Sequence, residues 1–206
     1  MSAQLPVDPK LRRRRRLQLL LIAVLFLGPV ALAFWSYYGV AIRPSGRTNH
    51  GELITPARPL PDVTLATPDG ASSVETLLHG RWSLLYVAAG RCEDACRAAL
   101  DQLRGVRRAL GADTTRVQRV LLVTGPCCDP LARTAAGEEL VLAHADGEAA
   151  QRLLAEFPSY GLPALAAGRA YIVDPLGNLM MSYAPGASAQ GMLKDVERLL
   201  RLSHIG

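Results

Sequence analysis

Apolar positions along the chain fall into three regimes. From Leu17 to Val40 they form a single run that no charge interrupts. A span of roughly 20 apolar residues crosses the hydrocarbon core of a bilayer, so this run predicts a transmembrane helix over 17–40. Gly28-Pro29 near its middle predicts a bend, which membrane helices tolerate. From Ala41 to Pro61 the apolar density drops, and Pro44, Gly46, Pro56, Pro59 and Pro61 punctuate a polar stretch. That spacing predicts a semi-extended tether rather than a folded element. Residues 62–206 then alternate short apolar runs with amphipathic stretches, over a length that suits one domain with one core.

Within the third regime the periodicity predicts particular elements. Val63–Ala66 and Ala71–Val74 flank Asp69-Gly70, a hairpin signal. Ser83–Ala88 is an apolar run of buried-strand length. Between Cys92 and Leu110, the residues Ala95, Ala99, Leu103, Val106 and Leu110 form one stripe, which predicts a helix packed on a sheet and closed by Gly111. Val117–Val123 predicts the next strand, Leu140–Ala145 another, and Glu148–Phe157 a short helix. Tyr171–Tyr183 reads as two strands around Pro175-Leu-Gly-Asn178. Gln190–Leu202 predicts a last amphipathic helix with Met192, Val196, Leu199 and Leu200 facing inward. Strand–helix–strand followed by a hairpin and a terminal helix predicts an α/β domain with a mixed sheet and helices on both faces.

Charge adds a topology to this order. The net charge of +5 is unevenly placed: residues 1–50 hold eight Lys/Arg against one Asp, and residues 51–206 hold fifteen against seventeen Asp/Glu. Arg12 to Arg16, with Lys10 before them, sit directly ahead of the apolar run, and positive charge stays on the cytoplasmic side. Trp35, Tyr37 and Tyr38 cluster at the far end, where an aromatic belt meets the opposite interface. The expectation is a single-pass protein of the inner membrane with residues 1–16 cytoplasmic and the domain periplasmic. A cleaved signal peptide is the rival, with Ala31-Leu-Ala33 as its cleavage site, but the apolar run is long for that role. The basic run can also touch anionic headgroups. The outer domain is slightly acidic, so the overall basicity is no footprint of nucleic acid.

Cysteines carry the candidate chemistry. Cys92 and Cys96 stand four residues apart, just after the apolar strand and at the start of the predicted helix, a spacing that shares a helix face. The N–H groups of a helix start favour a thiolate. Two such sulfurs can close and open a disulfide, or hold a soft ion such as Cu(I); they can also be a structural pair. Chemistry in such sheets collects at the carboxyl ends of parallel strands. Cys127 and Cys128 follow the next strand in Thr124-Gly-Pro-Cys-Cys-Asp-Pro130, and are secondary candidates: they can resolve a disulfide on the first pair, add ligands, or bridge to each other. Of His50, His79, His144 and His204, only His144, near the end of a predicted strand, is placed to supply a third ligand.

Taken together, these residues resemble the thioredoxin-like fold and, within it, the Sco family of cytochrome c oxidase copper chaperones. The resemblance rests on the single anchor and external domain and on the C-x-x-x-C of Cys92 and Cys96. Asp129-Pro-Leu-Ala-Arg-Thr134 is similar to the family's Asp-Pro-x-Arg-Asp-Thr segment, and Tyr171-Ile-Val-Asp-Pro-Leu-Gly177 to its Tyr-Leu-Ile-Asp-Pro-x-Gly hairpin. It implies a membrane-anchored factor of cytochrome c oxidase assembly that handles Cu(I) or keeps copper-site thiols reduced through Cys92 and Cys96. Oxidase subunits or another copper or thiol assembly factor are the implied partners. The chain departs from the family in two places. Glu93 stands where a proline usually follows the first cysteine. Ala164–Ala170 lacks the copper-binding histidine expected about five residues before Tyr171. Gly161-Leu-Pro163 is similar to the cis-proline segment of thioredoxins. The alternatives are a general extracytoplasmic thiol–disulfide oxidoreductase, which would more often carry C-x-x-C, and a non-catalytic thioredoxin-like scaffold.

Overall fold

A computed structural model describes residues 9–38, 48–68, 70–90, 92–125, 140–158, 160–203 and 205–206. The chain divides into two units, Met1–Arg47 and Thr48–Gly206. Among its described residues the first unit holds one helix, α1 (Pro9–Tyr38), with Pro29 inside it. Its stretch Arg12–Ser36 is long and apolar enough to cross a membrane. At 1.5 Å per residue the helix is about 45 Å long. That exceeds a hydrocarbon core of about 30 Å, so the helix continues back through the arginine run ahead of the predicted span.

The second unit is built on one sheet of eight strands among the described residues: β1 (Glu52–Pro59), β2 (Thr64–Thr67), β3 (Gly70–Ser73), β4 (Trp82–Ala89), β5 (Val117–Thr124), β6 (Leu140–His144), β7 (Ala170–Val173) and β8 (Asn178–Tyr183). Their order across the sheet is β1-β8-β7-β4-β5-β6-β2-β3. β4, β5 and β6 run parallel, and the other pairings are antiparallel. The α-helices among the described residues are α2 (Val74–Leu78), α3 (Asp94–Ala109), α4 (Gly147–Ala155), α5 (Ala164–Ala167) and α6 (Ala189–Leu202).

Parallel strands at the centre of a sheet are covered on both faces, so they read as unbroken apolar runs. β4 and β5 are buried at every residue but the last. Period-two alternation then sends their side chains to two cores. Leu84, Tyr86, Ala88, Leu121 and Val123 pack with Leu100, Leu103 and Val106 of α3 and with Met192, Val196 and Leu200 of α6. Leu85, Val87, Val120 and Leu122 pack with Val74 and Leu78 of α2 and with Ala150 and Leu153 of α4.

One segment corrects the sequence reading. Within the stretch 41–61 expected as tether, Glu52–Pro59 form β1 at the edge of the sheet, with Glu52 opposite Ser182 and Pro59 opposite Asn178. Proline spacing misled because an edge strand needs ladder donors on one side only, and the register shifts between Leu53 and Arg58, around Pro56. Just before β1, the backbone N–H groups of His50 and Gly51 each donate to Asp195 Oδ2 at 2.8 Å, and the Tyr183 hydroxyl donates to the same oxygen at 3.0 Å. Asp195 is 4% exposed. Burial, and then Asp195 itself, push the Tyr183 hydroxyl pKa upward. Gly191 lets the segment approach α6, since a Cβ there would lie 2.8 Å from the His50 Cβ.

Candidate functional site

β4 ends at Ala89, directly opposite Thr124 at the end of β5. The chain then turns away through Gly90, whose φ of 61° suits glycine, and whose N–H donates to the Thr124 carbonyl at 2.8 Å. Glu93 is the N-cap of α3, in extended conformation, and its side chain makes no capping hydrogen bond. Its carbonyl accepts the Arg97 N–H at 2.9 Å. Cys92 therefore precedes the helix, which starts at Asp94 and not at Cys92 as the apolar stripe suggests, and Cys96 lies in the first turn.

Cys92 and Cys96 form a disulfide with their Cα atoms 5.1 Å apart. The two sulfurs are not equivalent. Cys92 is half-buried, while Cys96 is 6% exposed and belongs to the core beneath α3. Cys92 is therefore the more accessible sulfur and Cys96 the more enclosed one. Asp94 is paired with Arg97 at 2.6 Å. On β4, burial raises the pKa of the Tyr86 hydroxyl.

The other candidates are spread around the molecule. His144 closes β6 opposite Val123, which is itself opposite Ala88. It stands two residues after Leu142, which packs in the α3 core, so it shares that face and lies on the α3 side of the sheet. Two strand spacings, about 10 Å, separate it from β4. His50 is at Asp195, its Nδ1 3.2 Å from Oδ1. His79 packs against Gly177. His204 and the pair Cys127 and Cys128 lie outside the described residues. Among the described residues no group of three His, Cys, Asp or Glu side chains could hold a metal ion. Asp146 Oδ1 accepts the N–H of Gly125, just past β5, at 2.7 Å.

The segment before β7, where a histidine would be expected, forms α5 and ends in the buried Arg169. Its guanidinium lies 2.9 Å from Glu52 Oε2, donates to Ser182 Oγ at 3.2 Å and stacks 3.8 Å from the Tyr160 ring centroid. Nothing in the local pattern signals this, because Glu52, Ser182 and Tyr160 converge only once β1 and β8 pair. Burial pushes the neighbouring Tyr171 hydroxyl up to about 12. Ala166 is exposed. The cis proline among the described residues is Pro56 and not Pro163, which corrects the comparison of Gly161-Leu-Pro163 with the cis-proline segment.

The family model described as transmembrane-like, thioredoxin-like, C-terminal domain matches residues 82–203. No curated protein sequence matches the chain. Among solved structures, apo Sco1 of Thermus thermophilus is 20% identical with a TM-score of 0.60, covering 76% of this chain and 99% of that one. Copper-bound ScoI of Arabidopsis thaliana is 17% identical with a TM-score of 0.54, covering 70% and 99%. BsSco, a cytochrome c oxidase assembly protein with a disulfide switch, is 16% identical with a TM-score of 0.52, covering 71% and 96%. At these identities the likeness concerns the fold: a thioredoxin-like domain, as the resemblance implies, with the mixed sheet that the order of elements predicts.

Proposed function

The chain belongs to the family of transmembrane-like, thioredoxin-like C-terminal domains, and on that premise we propose that it is a membrane-anchored, Sco-like thiol factor of cytochrome c oxidase assembly. The observation that carries the reading is the Cys92–Cys96 disulfide at the carboxyl end of β4, with one sulfur half-buried and the other in the core. In the reduced state the Cys92 thiolate attacks a partner disulfide and expels one partner thiolate. Cys96 then gives up its proton, attacks Cys92 Sγ in the mixed disulfide, and releases the second partner sulfur. Two electrons pass to the partner, and the Cys92–Cys96 bond reforms.

The same two thiolates, when reduced, suit Cu(I) as cargo, because soft sulfur selects it. Copper-bound forms are found among the Sco structures that the domain resembles. α1 is the anchor, and the arginine run supports a cytoplasmic N-terminus with the domain on the periplasmic side of the inner membrane. Oxidase subunits or another copper or thiol assembly factor are the partners that this reading implies. A second reading, general extracytoplasmic thiol–disulfide exchange, is favoured by the absence of histidine from Ala164–Ala170. Cu(I) competition titration of the reduced protein, paired with reduction of an oxidised copper-site peptide, tests both. Copper binding that needs Cys92 and Cys96 supports the chaperone, and peptide reduction alone supports the reductase.

A further inference from the structure

We propose that an uncharged border on the β7–β8 side of the thiol site selects its substrate: the oxidised dithiol that the site accepts lies in a partner segment whose flanking residues are uncharged. The inference rests on the thiol function above and adds the class of partner segment that it takes. Register places the border. β4 runs toward Ala89, and Cys92 follows it. Tyr86 stands opposite Ala170, the first residue of β7, and Ala170 stands opposite Tyr183, the last residue of β8. β7 is antiparallel to both strands. The chain before Ala170 and the chain after Tyr183 therefore both leave the sheet at the carboxyl end of β4, the end that carries Cys92. They do so one and two strand spacings from β4, about 5 and 10 Å. The two segments meet, since a Cβ at Gly168 would lie 3.5 Å from Pro185 Cγ and 3.7 Å from the Tyr86 hydroxyl oxygen. Gln102 Nε2 of α3 donates to the Ala187 carbonyl at 2.7 Å, which joins the second segment to the helix that holds Cys96. Cys92 and Ala187 pack against the same core.

Both segments lack charge. Charged residues make up 20% of the chain, yet residues 157–168 and 184–193 hold no Asp, Glu, Lys, Arg or His. The charged residue that ends the first run, Arg169, is buried and paired with Glu52. Leu162, Pro163, Ala166, Ala184, Pro185 and Gly186 are exposed. A charged side chain set against such a surface gives up water and gains no counter-charge, whereas an uncharged one avoids that cost. Discrimination therefore comes from what the border rejects as much as from what it holds.

The test uses the full-length protein in detergent with Cys127→Ser and Cys128→Ser, reduced and then freed of reductant. Its substrates are three peptides that each hold one disulfide, flanked by Ala, by Asp or by Lys. Single-turnover rates are read by alkylation mass shift and divided by the rate of the same peptide with dithiothreitol, which removes the peptide's own reactivity. The neutral peptide should react at least about tenfold faster than either charged one, a preference that about 1.4 kcal/mol supplies. Ala166→Glu or Ala184→Glu should raise the Lys-to-Asp rate ratio by about fivefold, the size of one exposed ion pair. About 1 M salt, where the Debye length is about 3 Å, should shrink that gain. Leu176→Glu, in the exposed turn at the other end of β7 and β8, should leave the ratio at the parent value. Either charged peptide reacting as fast as the neutral one, a ratio that neither border glutamate moves, or an equal shift from Leu176→Glu overturns the selective border and leaves thiol exchange standing. A reduced parent that opens none of the peptides overturns both.

Discussion

Asp195 accepts the backbone N–H of Gly51 at 2.8 Å, tying the first residues of the outer unit to its last helix. The same carboxylate takes the N–H of His50 and the hydroxyl of Tyr183. A buried carboxylate is tolerated when its lone pairs are filled by donors, and here those donors come from segments far apart in sequence. Asp195→Ala would strand the buried Gly51 N–H and Tyr183 hydroxyl, each unmet buried donor costing about 1–3 kcal/mol, and would also remove the bond to the N–H of exposed His50. Urea unfolding should show a loss of about 3 kcal/mol or more, with Asp195→Asn milder. A loss under about 0.5 kcal/mol, the size of a surface change, would rule out the clamp.

Alkaline pH should weaken the same region. Burial raises the hydroxyl pKa of both Tyr171, to about 12, and Tyr183. In the unfolded chain these hydroxyls ionise near pH 10, whereas the folded chain keeps their protons. Their contribution is therefore fully present below about pH 10 and is lost as pH rises toward about 12 and beyond. Thermal melts across pH 9 to 12 should fall more steeply for the parent than for Tyr171→Phe/Tyr183→Phe. Parallel slopes would contradict the assignment.

Much of the architecture was legible because it is written in periodicity. β4 and β5 are continuous apolar runs, α3 and α6 carry clear stripes, and Asp174-Pro-Leu-Gly177 marks the turn between β7 and β8. The spacing of Cys92 and Cys96 left a disulfide, a soft-metal pair and a structural pair open, and the structure joins the two sulfurs. What escaped was non-local: β1 hid among prolines, and Asp195 and Arg169 gained partners only through the closing of the sheet. The inequality of the two sulfurs also escaped, because it depends on which residue α3 starts at and on how deeply its first turn sits over β4.

That inequality predicts an order of modification. After mild reduction, in a Cys127→Ser/Cys128→Ser background, Cys92 should react with iodoacetamide at least about tenfold faster than Cys96, because reactivity follows thiolate access. Cys96→Ser should let Cys92 trap a long-lived mixed disulfide with an added dithiol-site peptide, since the resolving sulfur is gone. Peptide mass mapping reads both. Equal rates for the two cysteines would remove the assignment of Cys92 as the attacking sulfur.

Membrane orientation has its own readout. Alkaline phosphatase, active only outside the cytoplasm, should be active when fused after Gly206. Neutralising Arg12 to Arg16 should reduce that activity, because the asymmetry of basic residues orients the span. An inactive fusion on a well-expressed chain would reverse the proposed placement of the domain and remove the compartment in which a cycling disulfide is expected.

Copper separates the two readings of the site. The reduced protein should bind Cu(I) in competition with a Cu(I) chelator, and Cys92→Ser or Cys96→Ser should abolish it, since each removes half of the soft donor pair. Cys127→Ser and Cys128→Ser should change it modestly. Cu(II) should bind weakly, because it favours imidazole and no histidine stands in Ala164–Ala170. Ala166 is exposed on α5, which packs against β4 at its carboxyl end. Ala166→His should therefore add an imidazole near the sulfurs and tighten Cu(II) binding by at least about tenfold, a gain that about 1.4 kcal/mol supplies. If Ala166→His changes nothing while Cu(I) still needs both cysteines, the chain is a two-sulfur carrier and the loop is no part of its site. If the reduced parent binds no Cu(I) yet reduces an oxidised copper-site peptide, the chaperone reading falls and thiol reduction remains.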